Sequence, residues 1–299
     1  MEAMAGSTRK IARQWADKYS FPLAPSDLDD LPTVAQYLAT NQKNPQFPRW
    51  QLASYLIEDL LKRYGSRLPA DLPPKDLPKI LSAVGALLRK DNPAEPHKVL
   101  ASKPFPIYLT VNPDNSMEDA LVEAGKSPRS DYSRWKSELE NFEKFPRIQD
   151  SEPQYTPSEK NPLVYHLFGS LGNPLSLVLT EDDYFDYLLS VSSKAKGKDL
   201  TPPKVGTALT ENALLFMGFR LDDWSFRVLL RSIFTKEGAA ARLVSGLPCV
   251  GAQVQPEEGR ILEAQGTRKY LERYFQKSNI DIYWGSVDEF VQEFVKQTA

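Results

Sequence analysis

Residues 163–191 read LVYHLFGSLGNPLSLVLTEDDYFDYLLSV, and their pattern changes three times. LVYHLFG (163–169) is a short apolar run with branched and aromatic residues that ends on glycine, which predicts a buried strand. SLGNP (170–174) predicts a turn, and LSLVLT (175–180) a second strand. EDDYFDYLLSV (181–191) predicts a helix, with Thr180 as its N-cap and Asp183 three residues on. Acids suit the positive end of a helix, so those in TEDDYFD need no catalytic role.

The same alternation extends to both sides. FPIYLTVN (105–112), NALLFMGF (212–219), LPCVGAQV (247–254) and IDIYWG (280–285) predict strands. SMEDALVEAG (116–125), YSRWKSELENF (132–142), RLDDWSFRVLLRSIF (220–234) and SVDEFVQEFVKQ (286–297) predict helices. In the last, Ser286 and Glu289 form a capping box, and Val287, Phe290, Val291, Phe294 and Val295 form the apolar stripe. FPRIQDSEPQYTPSEKNP (145–162) and the basic KAKGKDLTPPK (194–204) predict surface loops. Upstream, TRKIARQWADKY (8–19), WQLASYLIEDLLKRYG (50–65) and DLPKILSAVGALLRK (76–90) carry helical stripes, with Gly65 expected to end the second.

Short buried strands alternating with amphipathic helices predict an α/β fold: a Rossmann-like, mostly parallel sheet with flanking helices and a helical N-terminal region. The expected organisation is one domain over 1–299, with 1–96 a largely helical cap or insertion and 97–299 the strand-bearing core. Such sheets bind ligands beyond the C-terminal ends of their strands. The residues there are Asn112 and Asp114, Gly169 and Ser170, Gly218 and Arg220, and Gly285. NPDN (112–115) is also rich in turn formers.

Composition narrows the function. With 299 residues, 41% of them hydrophobic and 25% charged, the chain can bury a real core. A net charge of −2 offers no basic stripe for nucleic acid. The single cysteine, Cys249, rules out an internal disulfide and a four-cysteine zinc site, and fits a cytoplasmic location. No apolar run reaches the roughly 20 residues that span a bilayer. Neither a Walker-type phosphate loop nor a nucleophile-elbow motif is present.

Four stretches, in order, resemble the sirtuin-like family in its bacterial NAD-consuming, often anti-phage, form. IYLTVNPDNSMEDAL (107–121) resembles that family's strand followed by T-x-N-x-D, at Thr110, Asn112 and Asp114. VYHLFGSLGNPLSLVLTEDDYFDYL (164–188) resembles its histidine–glycine segment and the helix start after it. LLFMGFRLDDWSFRVLL (214–230) and IYWGSVDEFVQEF (282–294) resemble its last two strand–helix units. The resemblance implies NAD or ADP-ribose bound across the strand ends and an NAD-hydrolysing activity that releases nicotinamide. It implies that Asn112 orients water beside the nicotinamide ribose and that Asp114 holds the nicotinamide amide. It also implies that Gly218 and Gly285 admit the adenosine half. A histidine suits proton transfer near neutrality, which makes His166 the candidate base. His97 reads as a structural or surface residue. The zinc-binding cysteines of the deacetylase branch are absent, so no metal is expected. Expected partners are other copies of the chain or other components of a defence system.

Two departures leave a second reading open. The family's first strand ends in a glycine-rich G-x-G turn, and no such turn precedes GSTRKIARQW (6–15), so that strand is expected to lie upstream. The family also places histidine directly before the glycine, where this chain has Phe168. His166 lies two residues earlier, on the same face of a strand but about 6.5 Å away. The alternative is a catalytically degenerate module that senses a nucleotide or binds another protein.

Overall fold

The structure is a computed structural model that describes residues 7–139, 146–192, 202–218, 249–253, 263–276 and 279–298. The chain forms two compact units. One comprises residues 1–93 and 100–200, the other residues 94–99 and 201–299.

The first unit begins with four amphipathic helices: α1 (Thr8–Lys18), α2 (Leu31–Asn41), α3 (Phe47–Tyr64) and α4 (Leu77–Asp91). Side-chain caps start two of them. Ser7 Oγ accepts from the Lys10 amide, and the Asp76 carboxylate accepts from the Lys79 amide. Their inward stripes form one core containing Ile11, Trp15, Val34, Leu38, Leu56, Leu60, Ile80 and Val84. The predicted stripes on α1, α3 and α4 are therefore packing surfaces. Gly65 does not stop α3 by adopting a left-handed conformation. Its φ is −52°, and the chain tightens into a 3-10 turn at Gly65–Arg67. The proline-rich loop that follows leads to Asp76.

After the short helix α5 (Pro96–Ala101), which straddles the division between the units, three parallel strands form a sheet in the order β1–β3–β2. They are β1 (Ile107–Thr110), β2 (Arg129–Tyr132) and β3 (Leu163–His166). The central strand β3 is buried along its whole length. Helix α6 (Ser116–Glu123) connects β1 to β2 and packs Met117, Ala120 and Leu121 against Tyr108 and Val164. Gly125, at φ +76°, turns the chain after α6.

Two sequence expectations are corrected here. YSRWKSELENF is not a helix in its described part: Tyr132 ends β2, and a 3-10 turn occupies Ser137–Leu139. LSLVLT is not a strand. Pro174–Ser176 is a 3-10 turn, and Val178 donates a single hydrogen bond back to the Phe168 carbonyl without forming a ladder. Its apolar side chains are buried all the same, Leu177 and Leu179 under the N-terminal helices and Val178 beside Trp135 and Tyr187. The predicted loop at 145–162 contains one helical turn, α7 (Ile148–Ser151).

Helix α8 (Glu181–Ser192) starts as expected. The Asp183 amide donates to Thr180 Oγ1, and Asp183 Oδ2 accepts from the Thr180 amide, a reciprocal cap.

The second unit carries another three-stranded parallel sheet, in the order β4–β5–β6, from β4 (Leu214–Met217), β5 (Cys249–Gln253) and β6 (Ile280–Trp284). Helix α9 (Pro203–Glu211) precedes β4, α10 (Ala264–Gln276) precedes β6, and α11 (Val287–Thr298) follows it. Phe216, Cys249, Leu271, Phe275 and Ile280 form its core. The Ser286–Glu289 capping box is present, with Ser286 Oγ accepting from the Glu289 amide and Glu289 Oε2 from the Ser286 amide. The predicted helix at 220–234 lies outside the described residues. The expected α/β class, with parallel strands, flanking helices and a helical N-terminal region, is what the structure contains, although the described strands form two three-stranded sheets and not one.

Candidate functional site

The parallel register sets the strand ends of the first unit in one row. Thr110 of β1 and Tyr132 of β2 both align with His166 of β3. Polar groups leave the sheet together at this edge, the position where open α/β sheets meet ligands.

Beyond β1 the chain makes a tight turn, with Thr110 Oγ1 accepting from the Asn112 amide at 2.9 Å. The Asn112 carbonyl in turn accepts from His166 Nδ1 at 2.9 Å. Asn112 is thus pinned through both its backbone N–H and its C=O. Its side chain is half-buried, and among the described residues no hydrogen bond to its carboxamide is formed. Asp114 is buried, and its Oδ1 accepts from the Ser116 amide at 3.0 Å in a local turn that leads into α6. The turn expected from NPDN and the candidate ligand group at Asn112 therefore coexist.

His166 is 1% exposed. Its Nε2 lies 2.7 Å from Glu118 Oε1, in the first turn of α6, and that oxygen also accepts from Ser130 Oγ of β2 at 2.6 Å. Both ring nitrogens face acceptors, a carbonyl and a carboxylate. A neutral imidazole has one N–H and would satisfy only one of them, so the geometry calls for the imidazolium. Burial acts to lower the His166 pKa, but the hydrogen bond and charge of Glu118 outweigh it. The Asn112 carbonyl and the charge of Asp114 add to the same effect, and the pKa is raised.

The loop beyond β3 is closed on itself. Gly169 has φ +84°, and a Cβ there would collide with the Ser176 carbonyl. The Ser170 amide donates to Ser176 Oγ, and Ser170 Oγ accepts from the Gly172 amide. The Leu171 amide donates to the Pro113 carbonyl at 2.7 Å, tying this loop to the turn after β1. The Phe168 ring stacks edge-on against Tyr184 and Tyr187 of α8. The side chain at the family's histidine position thus belongs to the packing of α8.

Beyond β2, the Arg134 guanidinium lies 3.5 Å from the centre of the Tyr132 ring and pairs with Asp131 at 2.9 Å. The Tyr132 hydroxyl accepts from Asn173 Nδ2 at 2.8 Å, and Trp135 Nε1 donates to the Ser176 carbonyl.

One unit therefore brings together Thr110, Asn112, Asp114, His166, Gly169 and Ser170. Gly218 and Gly285 belong to the other, where Gly218 has φ +73° and a Cβ on Gly285 would press on the Tyr283 ring. Arg220 lies outside the described residues. His97 pairs with Glu95 at 2.7 Å.

The acids of TEDDYFD serve packing in a way the sequence did not disclose. Glu181 accepts from Thr33, Asp182 from Gln36, and Asp183 from the buried Arg49 at 2.6 Å, so the start of α8 docks on α2 and α3. Glu118 was not singled out from the sequence either. The available signal was an acid one helical turn past the NPDN turn, and its contact with His166 is not visible from the spacing. Among the described residues no group of three or more His, Cys, Asp or Glu is placed to hold a metal, and no helix is long and apolar enough to cross a membrane.

Polar groups converging beyond parallel strand ends put the chain among Rossmann-like α/β proteins. More narrowly, it belongs to the SIR2-like domain family, whose model matches residues 106–283. Among curated proteins it is similar to the NAD(+) hydrolase ThsA of Enterococcus faecium, 28% identical over 140 residues, which is 47% of this chain and 25% of that protein. It is also similar to the NAD(+) hydrolase ThsA of Bacillus cereus strain MSX-D12, 26% identical over 145 residues, 48% of this chain and 26% of that protein. The similarity thus spans about a quarter of each relative's length.

Proposed function

We propose that the strand-end site of the first unit binds NAD and that the protein releases nicotinamide from it. The observation that carries this reading is Asn112: a half-buried carboxamide without a protein hydrogen bond among the described residues, on a backbone pinned at both N–H and C=O. Family membership and the similarity to two NAD(+) hydrolases support it.

In the proposed reaction the bond between the ribose carbon and the nicotinamide nitrogen breaks. The electron pair leaves with nicotinamide and neutralises its positive charge, and the ribose carbon develops cationic character. Water adds to that carbon and loses a proton to solvent, giving ADP-ribose. The Asn112 carboxamide orients the water or a ribose hydroxyl. Thr110 holds the turn that presents Asn112, and Asp114 lies beside it as a candidate acceptor for the nicotinamide amide. His166 is a candidate base by position, but its ring hydrogen bonds favour a role in holding Asn112. Gly169 and Ser170 shape the loop after β3.

Incubating the protein with NAD and following nicotinamide release tests this. Turnover in the wild type that falls about 100-fold in Asn112→Ala, with the fold intact, is expected for the loss of one transition-state contact. Turnover unchanged by that substitution would overturn the reading.

Phe168 favours a second reading, nucleotide binding without turnover, because it fills the family's histidine position with an aromatic contact to α8. Calorimetry with NAD and ADP-ribose separates binding from catalysis, and turnover gained by Phe168→His would support a once-catalytic site. The proposal extends to anti-phage defence in the cytoplasm, alongside other copies or components. Phage challenge of cells carrying the wild-type or Asn112→Ala gene tests that part.

A further inference from the structure

The contacts of His166 lead past the residues assigned so far, to α6. We propose that Glu118 is a positioning residue: through the His166 ring it fixes the Asn112 peptide, and so sets where the Asn112 carboxamide meets the substrate. This rests on the proposed NAD chemistry at Asn112.

Three observations carry it. First, the chain of contacts is continuous and short: Ser130 Oγ to Glu118 Oε1 at 2.6 Å, Glu118 Oε1 to His166 Nε2 at 2.7 Å, and His166 Nδ1 to the Asn112 carbonyl at 2.9 Å. It joins β2, α6, β3 and the turn after β1. Second, the histidine is sealed in the fold with a side-chain exposure of 2%, and Glu118 is exposed by only 15%, so water does not readily replace either partner. Third, the ring needs both N–H groups to satisfy its two acceptors, and a buried imidazolium needs a counter-charge. Glu118 supplies it in direct contact, while Asp114 contributes at longer range. Removing the Glu118 charge favours loss of the ring proton. A neutral ring has one N–H, for which the Asn112 carbonyl and the side chain at 118 then compete, so the hold on the Asn112 carbonyl loosens.

The test uses the full-length chain, with nicotinamide release measured across pH and ring protonation followed by NMR of 15N-histidine. In Glu118→Gln the protein stays folded by thermal melting, kcat falls about tenfold near neutral pH, and KM changes less than twofold. The alkaline limb of the kcat profile and the His166 titration both move to lower pH. Glu118→Asp keeps the charge one methylene short, and its limb falls between the two. It also carries the test should Glu118→Gln fail to fold. A folded Glu118→Gln protein with wild-type kcat and an unmoved limb overturns the positioning role, while a defect in Asn112→Ala leaves the NAD reading standing. A wild type with neither nicotinamide release nor ADP-ribose binding overturns both, whatever the histidine titration shows.

Discussion

Arg49 concentrates the cost of error in one side chain. It is buried and donates to the carbonyls of Pro45, Pro174 and Leu177 and to the Asp183 carboxylate. A methionine in its place keeps much of the volume but removes the charged partner of a buried carboxylate and a donor from each of three carbonyls. Arg49→Met should lower the unfolding free energy by about 3–5 kcal/mol, read from urea titrations. His166 gives a pH signature instead. Its proton is held more tightly folded than unfolded, so its stabilisation is full below about pH 6.5 and is lost as pH rises through the folded value. Between about pH 6 and pH 9 the urea midpoint should therefore fall more steeply in the wild type than in Glu118→Gln. Equal slopes would show that Glu118 does not hold the proton.

At the scale of elements, the loop from Gly169 to Thr180 tolerates little change. Gly169→Ala adds both an unfavourable positive φ and a collision with the Ser176 carbonyl, and should cost about 3 kcal/mol. Thr180→Ala removes the hydroxyl half of the reciprocal cap of α8 and should cost about 1 kcal/mol by the same measurement. This loop also marks where sequence patterns stop being sufficient. LSLVLT announces burial, and it is buried, but an apolar run does not specify a ladder partner. Here the partners are helices, Trp135 and one backbone carbonyl. The polar RSDY of β2 conceals a strand because it lies at the sheet edge with its first half exposed. FPIYLTVN, NALLFMGF and IDIYWG were legible because apolar, branched and aromatic residues cluster between turn formers. In the site, Asn112 and His166 stood out by type and position. Their coupling did not, since Glu118 lies 48 residues from His166 and meets it only through the packing of α6 on the sheet.

For the whole molecule, the division into two units with separate cores predicts unfolding that is not a single all-or-none event. Scanning calorimetry should give a van't Hoff enthalpy below the calorimetric one. ADP-ribose should raise the transition that includes the first unit, where Asn112 lies. A single transition with matching enthalpies would show that the units melt as one.

The division also has a bearing on synthesis. Residues 94–99 belong with 201–299, so the 101 residues from 100 to 200 separate the two parts of the second unit. At about 5–20 residues per second, the ribosome needs roughly 5–20 s to traverse that stretch. During that interval the six-residue segment has emerged, while the rest of its unit is still unmade. The first unit has all of its sequence by then and is free to fold during translation. The second must wait until residues 201–299 are made, which gives chaperones a defined interval in which to engage the nascent chain.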